Sequence, residues 1–563
     1  MLFSMQKNTS VAFLKVAVAA FCTAAPILIG ILGINQATYL MLAVFTAMLS
    51  MRIMVSGRIC ISSPQIMLGG LIVFTLIMSP FTRSGINGVL YITQLCLAWA
   101  FMAVIGDYFS ENSSEGLKGR LMYMVLISGL VCSFANIIYW LFVLVPVGSK
   151  APLSFIAGQN SLLSIYMVCS VFCAVNLIYK NTKRKKKLLS LAILPLLFVL
   201  VMAKSFIGYV VLAVLLVSFF VKLRIGKHYV PIMSIMLLAV TIIAFVCFKS
   251  TTQLDAILSG LNSIIGIGGG GFLSGQEIFQ SSYYPYSDKL ALLAIIVSSS
   301  GLAGLLFSVL LIARCVYMFV KNKSQLSFFT LLFVIILMLV PITKGLLVVL
   351  LSCGLITYSE YVNSAFSKTI NKNKLQRFAV FFAVVVVVAI YLFVHSVISN
   401  HADIKFKNSD YEGASALYAN AAAINPTDDI SCIKASVSIR KSNRDYKNAL
   451  EYVQKAEKRN KKSLESTKEK AYVYNYAGDL RESVIQWKQV CVKAPFNDTY
   501  KVKLAQSLYK IIKNAQKGSS ETKEAYKELV HIAEETFDLD CKKQINDIAD
   551  KAQKYNKGEL LNE

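Results

Sequence analysis

Seven carboxylates stand in the first 400 residues, and three of them, Asp255, Glu277 and Asp288, fall inside one segment, 249–289. The same segment holds the run Gly266-Ile267-Gly268-Gly269-Gly270-Gly271 and the sequence Tyr283-Tyr284-Pro285-Tyr286-Ser287-Asp288-Lys289. A carboxylate such as Asp288 is a general base or a cation ligand. Glycines such as Gly268 and Gly270 permit sharp turns and bring backbone N–H groups close to an anion. The rings of Tyr284 and Tyr286 offer flat faces to a sugar or a lipid headgroup. Structural readings stand beside these: the glycines as a hinge, and Asp288 in a surface salt bridge with Lys289. Lys204 and Lys344 interrupt apolar sequence, and Arg83 lies between two apolar runs. Such cations suit a bound diphosphate, or else snorkel to an interface. The histidines, His228, His395, His401 and His531, all lie outside 249–289, which excludes a histidine-based catalyst there. Twelve cysteines without a CxxC pair build neither a metal site nor a disulfide framework, and no cofactor is called for.

What must position these groups is a membrane bundle. Of 563 residues, 56% are hydrophobic and only 16% charged, with a mean hydropathy of +0.59, values that a water-soluble globule does not carry. A run of about 20 apolar residues spans a bilayer. Roughly thirteen such stretches occur, near 11–33, 37–53, 62–81, 87–106, 121–147, 153–179, 187–203, 205–222, 229–248, 289–320, 326–341, 345–361 and 376–398. The first is too long, and too poor in a cleavage site, for a removed signal peptide.

The net charge of +26 belongs to this part, because residues 1–400 carry 28 basic against 7 acidic side chains whereas 401–563 carry 29 against 24. An excess so placed records the Lys and Arg of cytoplasmic loops, and nucleic acid falls away as a partner. Alternate loops divide the 28 cations unevenly: one side receives 22, including the run 183–187, and the other receives only Arg83, Lys150, Lys204, Lys249, Lys289 and Lys344. The N-terminus is therefore expected in the cytoplasm and the tail outside, with 249–288 as the one long outer loop.

The tail repeats. Asp410-Tyr411-Glu412-Gly413-Ala414 aligns with Asp445-Tyr446-Lys447-Asn448-Ala449 and with Asp479-Leu480-Arg481-Glu482-Ser483, at spacings of 35 and 34. A large side chain follows eight residues after each Asp: Tyr418, Val453 and Trp487. This pattern over about 405–515 resembles the tetratricopeptide repeat, an interaction module without chemistry of its own.

The layout as a whole, over roughly 60–362, resembles the O-antigen ligase and O-antigen polymerase superfamily of bacterial envelope proteins. The features that carry it are Gly158-Gln159-Asn160-Ser161 before the sixth stretch, Ala203-Lys204-Ser205, the glycine motif in a long outer loop after the ninth, and Gly301-Leu302-Ala303-Gly304. Lys204 stands where that family has arginine, which keeps the charge and loses the bidentate fork, and the family's loop histidine is missing. Pro285-Tyr286-Ser287-Asp288 followed by Gly301 looks more like the outer loop of the related shape, elongation, division and sporulation glycosyltransferases, in which an Asp is the key acid. The resemblance implies transfer of a glycan from an undecaprenyl-diphosphate carrier to an acceptor, without metal or nucleotide sugar.

The expected fold is all-α: a polytopic, GT-C-like membrane bundle of about 13 transmembrane helices over 1–399, then an extracytoplasmic α-solenoid of tetratricopeptide repeats over 400–563. The expected function is a glycan polymerase or ligase of a bacterial cell membrane. Asp288 and Lys204 are the expected catalytic residues, and Arg83, Lys289, Lys344, Gly268, Gly270, Tyr284 and Tyr286 the expected substrate-binding ones. The partners are the lipid-linked glycan, the bilayer and a protein docked on the repeats. A peptidoglycan-type transferase, a flippase or transporter of the same lipid, and a scaffold that displays the repeats are the alternatives. Because the repeats hold no chemistry, the bundle alone is expected to retain some transfer.

Overall fold

The computed structural model describes the chain outside residues 1–27, 29–31, 57–60, 83–84, 111–114, 150, 154–159, 181, 225–228, 249, 270, 275, 283–289, 341–352, 358–371, 443–444, 462, 517–518 and 558–563. Among the described residues every regular element is a helix. In chain order these are α1 (Ile34–Ser56), α2 (Ser63–Met78), α3 (Gly85–Ser110), α4 (Glu115–Tyr139), α5 (Asn160–Lys180), α6 (Lys183–Met202), α7 (Phe206–Arg224) and α8 (Tyr229–Phe248). Next come α9 (Thr251–Asn262), the single turns α10 (Gly271–Ser274) and α11 (Gln276–Phe279), α12 (Leu292–Asn322), α13 (Gln325–Leu339) and α14 (Lys372–Lys407). The tail follows as α15 (Tyr411–Ile424), α16 (Asp429–Ser442), α17 (Tyr446–Arg459), α18 (Leu464–Ala477), α19 (Leu480–Lys493), α20 (Asp498–Asn514), α21 (Ser520–Glu534) and α22 (Leu539–Lys557).

Two compact units form, one of Met1–Ile77, Leu90–Ser250 and Lys289–Phe393, the other of Met78–Val89, Thr251–Asp288 and Val394–Glu563. The first unit is built mainly of apolar helices. Eight helices among the described residues, of which the last runs Phe378–Lys407, are long and apolar enough to cross a membrane. That is fewer than the thirteen stretches expected, because two further apolar helices, Leu163–Tyr179 and Gln325–Leu339, are short, α6 begins with its cationic run, and 11–33 and 345–361 lie largely outside the described residues.

Aromatic rings and small residues join these helices. Phe172 of α5 stacks on Phe329 of α13 at 4.0 Å, and Trp99 of α3 on Phe382 of α14 at 5.9 Å. A side chain at Gly129 would run into Ser170, and one at Gly208 into Ser164, so α4 and α7 each approach α5 closely. Small residues that let backbones meet are how helices associate where no hydrophobic difference drives them together. The outward faces keep large apolar groups: on α8, Ile235 is 69% exposed and Leu238 61%.

The tail folds as its repeat dictates. Asp410, Asp445 and Asp479 cap α15, α17 and α19, each carboxylate accepting the backbone N–H three residues on, from Gly413, Asn448 and Glu482. Tyr418, Val453 and Trp487, eight residues after each cap, are buried, as are Ala414, Ala449 and Ser483 four after it. Arg459 donates to the carbonyls of Ala422 and Asn425, orphan acceptors where α15 ends, and to that of Asp428 just before α16. The result is a tetratricopeptide-like helical-repeat array.

Candidate functional site

Lys204 sits in the turn Ala203–Ser205 between α6 and α7. Its φ is +49°, the left-handed region, where a lysine is strained by about 1–2 kcal/mol. The turn is tightly specified: the Lys204 N–H donates to the Val201 carbonyl at 3.1 Å and the Leu153 N–H to that of Met202 at 3.2 Å. The Tyr209 hydroxyl donates to the Val201 carbonyl at 2.9 Å. The lysine itself is exposed while Ala203 and Ser205 beside it are buried, so the fold presents a cation at the joint of two apolar helices.

The segment 251–282 is folded rather than loose. Asp255 is buried, and one of its oxygens accepts the Ser281 N–H at 2.9 Å, which closes the segment on itself. Glu277 accepts from Asn497 at 3.0 Å and from the Tyr500 hydroxyl at 2.5 Å. Both carboxylates are thus engaged in holding the loop. Gly266 and Gly268 have φ of +84° and +91°, which only glycine adopts without strain, and the Gly271 N–H donates back to the Gly268 carbonyl at 3.0 Å. They are buried; Gly268 makes the turn, and its backbone is packed away from solvent. Asp288, Arg83, Lys289, Lys344, Gly270, Tyr284 and Tyr286 lie outside the described residues. Of the expected site, then, Lys204 and Gly268 have described positions. No group of three or more His, Cys, Asp or Glu that could hold a metal occurs among the described residues.

Three arrangements were not read from the sequence. The first is a break in α12: Gly301 takes φ +58° and ψ −135° inside the helix, and at Gly304 a side chain would collide with the Ile296 carbonyl. Around the break Ser298, Ser299, Ser300, Thr75 and Tyr91 are buried. Ser300 Oγ lies 3.4 Å from Thr75 Oγ1 and 3.3 Å from the Tyr91 hydroxyl. The run Ser298-Ser299-Ser300-Gly301 in apolar sequence was the available signal.

The second is His395, whose Nε2 lies 2.7 Å from an Asp428 oxygen with both side chains buried. Burial raises the Asp428 carboxyl, but hydrogen bonds from His395 and Ser431 outweigh it and hold the group below its ordinary range. The third is the bidentate pair of Arg440 with Glu469, at 2.9 and 3.0 Å. Burial holds the Glu469 carboxyl above its ordinary range, with Arg440 partly offsetting it. Both pairs join residues about thirty apart in the chain, which local pattern does not reveal.

No family model matches the chain, and no curated protein matches it. Among solved structures, the crystal structure of yeast Tom70 is similar at 10% identity, covering 86% of this chain and 96% of that one with a TM-score of 0.21, too low to establish a common architecture. The resemblance to the O-antigen ligase and polymerase superfamily, and to its shape, elongation, division and sporulation relatives, is accordingly corrected. Its motifs are only three or four residues long, too short to specify a family by themselves, and neither family models nor curated proteins support it.

Proposed function

We propose that the chain is a multispan protein of a bacterial cell membrane that transfers a glycan from an undecaprenyl-diphosphate-linked donor to an acceptor at the outer membrane–water interface. The observation that carries this reading is Lys204, a cation kept in a strained, exposed turn where a glycine would sit more easily. Strain retained in this way points to a role for the side chain, and a departing diphosphate is the charge an ammonium there suits best. The membrane setting is supported by eight helices of sufficient length and apolarity among the described residues and by the apolar side chains they expose. In this reading the acceptor hydroxyl oxygen attacks the anomeric carbon, the bond from that carbon to the diphosphate oxygen breaks, and the diphosphate leaves with the electron pair. The hydroxyl proton passes to Asp288, and Lys204, Arg83 and Lys344 neutralise the leaving group. Asp288 is the loop carboxylate assigned the base role because Asp255 and Glu277 have structural partners.

A second reading, a transporter or flippase for the same lipid, is favoured by the break at Gly301, since interrupted helices lined by hydroxyls are a feature of transporter sites. The test is reconstitution of the full chain with a polyprenyl-diphosphate-linked glycan. A new glycosidic bond supports transfer; movement of the intact lipid between leaflets without one supports transport. If neither is found, and a protein bound by the repeats is the only activity recovered, the chain is a scaffold and both readings fail.

A further inference from the structure

The tail unit contains more than the tail. Two separate pieces of chain, Met78–Val89 and Thr251–Asp288, pack with the repeats as one compact unit, and these are the pieces that carry Arg83 and Asp288 in sequence. The contacts are specific. At the first repeat Asp429 accepts the Ile86 N–H at 3.4 Å, where α3 begins, and a side chain at Gly85 would run into the same carboxylate. A carboxylate at a helix N-terminus satisfies orphan donors and complements the dipole. Asn460, the C-cap of α17, holds the other Asp429 oxygen at 2.8 Å, so one carboxylate joins the repeats to the start of α3.

At α20 the arrangement is reversed, with the loop supplying the carboxylate. Glu277 takes hydrogen bonds from Asn497 and Tyr500, and Ile278 packs against the apolar core built by Trp487, Val490, Tyr500 and their neighbours. Burial, followed by the Glu277 carboxylate, pushes the Tyr500 hydroxyl well above its ordinary range, as expected of a phenol that donates to an anion. Gln276 is 1% exposed with neither amide atom partnered among the described residues, a buried polar group of the kind that simple packing would have replaced.

We infer that the repeat array is a positioning element for the outer face: Asp429 holds the start of α3 at Gly85 and Ile86, and Asn497 with Tyr500 hold the turn at 276–278. The positioning role rests on the transfer reading above; the docking does not. It also reverses the expectation that the bundle alone retains transfer, because truncation after residue 400 removes Asp429, Asn497 and Tyr500 together.

The experiment uses the full chain in nanodiscs, with two readouts. Hydrogen exchange of peptides covering 276–282 reports docking whatever the activity. For the variant Tyr500→Phe with Asn497→Ala, exchange there should accelerate at least about tenfold, the effect of losing bonds to a charged acceptor, while α15 to α18 keep their protection. Should that variant unfold the tail, Glu277→Ala with Ile278→Ala tests the same seam from the loop side. Unchanged exchange in whichever of these pairs stays folded overturns the docking. The second readout is steady-state transfer from the polyprenyl-diphosphate donor. Positioning predicts a rise in donor KM larger than the fall in kcat, and partial rescue in Glu277→Gln, which still accepts from Tyr500. Faster exchange with unaltered kinetics overturns positioning, whereas a wild-type chain without transfer overturns the function reading and leaves exchange to decide the docking.

Discussion

Lys204 concentrates the functional question in one side chain, because its conformation and its charge pull in different directions. Glycine at this position relieves the left-handed strain and removes the ammonium, so Lys204→Gly should leave thermal stability unchanged or raised by about 1 kcal/mol. Transfer should fall on the order of 10²–10³-fold, as for loss of one preorganised donor. Lys204→Arg should keep much of the activity, since charge at the leaving group is what counts. A glycine variant that is both more stable and fully active would show the lysine to be incidental. Asp428 permits a pH prediction of definite sign. A carboxyl whose folded pKa lies below its unfolded value of about 4 stabilises the fold above that value, and the contribution is lost as pH falls through the folded pKa. Exchange of α16 amides should therefore be slow at pH 7 and lose protection below about pH 4. The neighbouring Asp429 and Glu469, raised mainly by burial, act in the opposite sense. The difference between wild type and Asp428→Asn isolates the Asp428 limb, and equal acid limbs in the two would refute its assignment.

Among the elements, the helix caps and the broken helix respond to different physics. Asp445 is an ordinary N-cap in a stacked array, so Asp445→Ala should cost about 1 kcal/mol, and in a quasi-one-dimensional array the loss should be felt mainly at α17 and the helices on either side. Exchange confined to α16–α18 is the expected result. The Gly301 break has no such latitude. Its backbone lies in a region L-residues avoid, and Gly304→Ala brings a methyl group against the backbone carbonyl of Ile296, which cannot swing aside. Gly304→Ala should reduce the yield of folded protein more than Gly70→Ala, which meets open space; equal yields would mean that α12 straightens without penalty. The cationic run at 183–187 also behaves as an element: it forms the first turns of α6 and not a loop, since Lys and Arg are good helix formers and extend from the apolar segment without interrupting it.

For the whole molecule, sidedness is the testable property. The loops at 78–89 and 251–288 share a compact unit with the tail, and the charge count of the sequence assigns all three to the cation-poor side. In intact cells a cysteine introduced as Ser415→Cys should react with an impermeant thiol reagent, and one introduced as Lys186→Cys should not. The reverse labelling would place the proposed chemistry in the cytoplasm and exclude an outer-face reaction.

Composition and periodicity alone determine that the chain is helical and apolar to residue 400, and that its tail is a repeat with Asp caps and buried Tyr418, Val453 and Trp487, because each is a local property of spacing. The sequence also singles out Lys204, since a cation in apolar surroundings is visible without coordinates. Its left-handed backbone, the break at Gly301 and the engagement of Asp255 and Glu277 are decided by packing between residues far apart in the chain. The pairing of Glu277 with Tyr500 spans more than two hundred residues. No spacing rule reaches that far, because such contacts form only when separate helices stack and bury polar groups that must then find partners in space rather than in sequence.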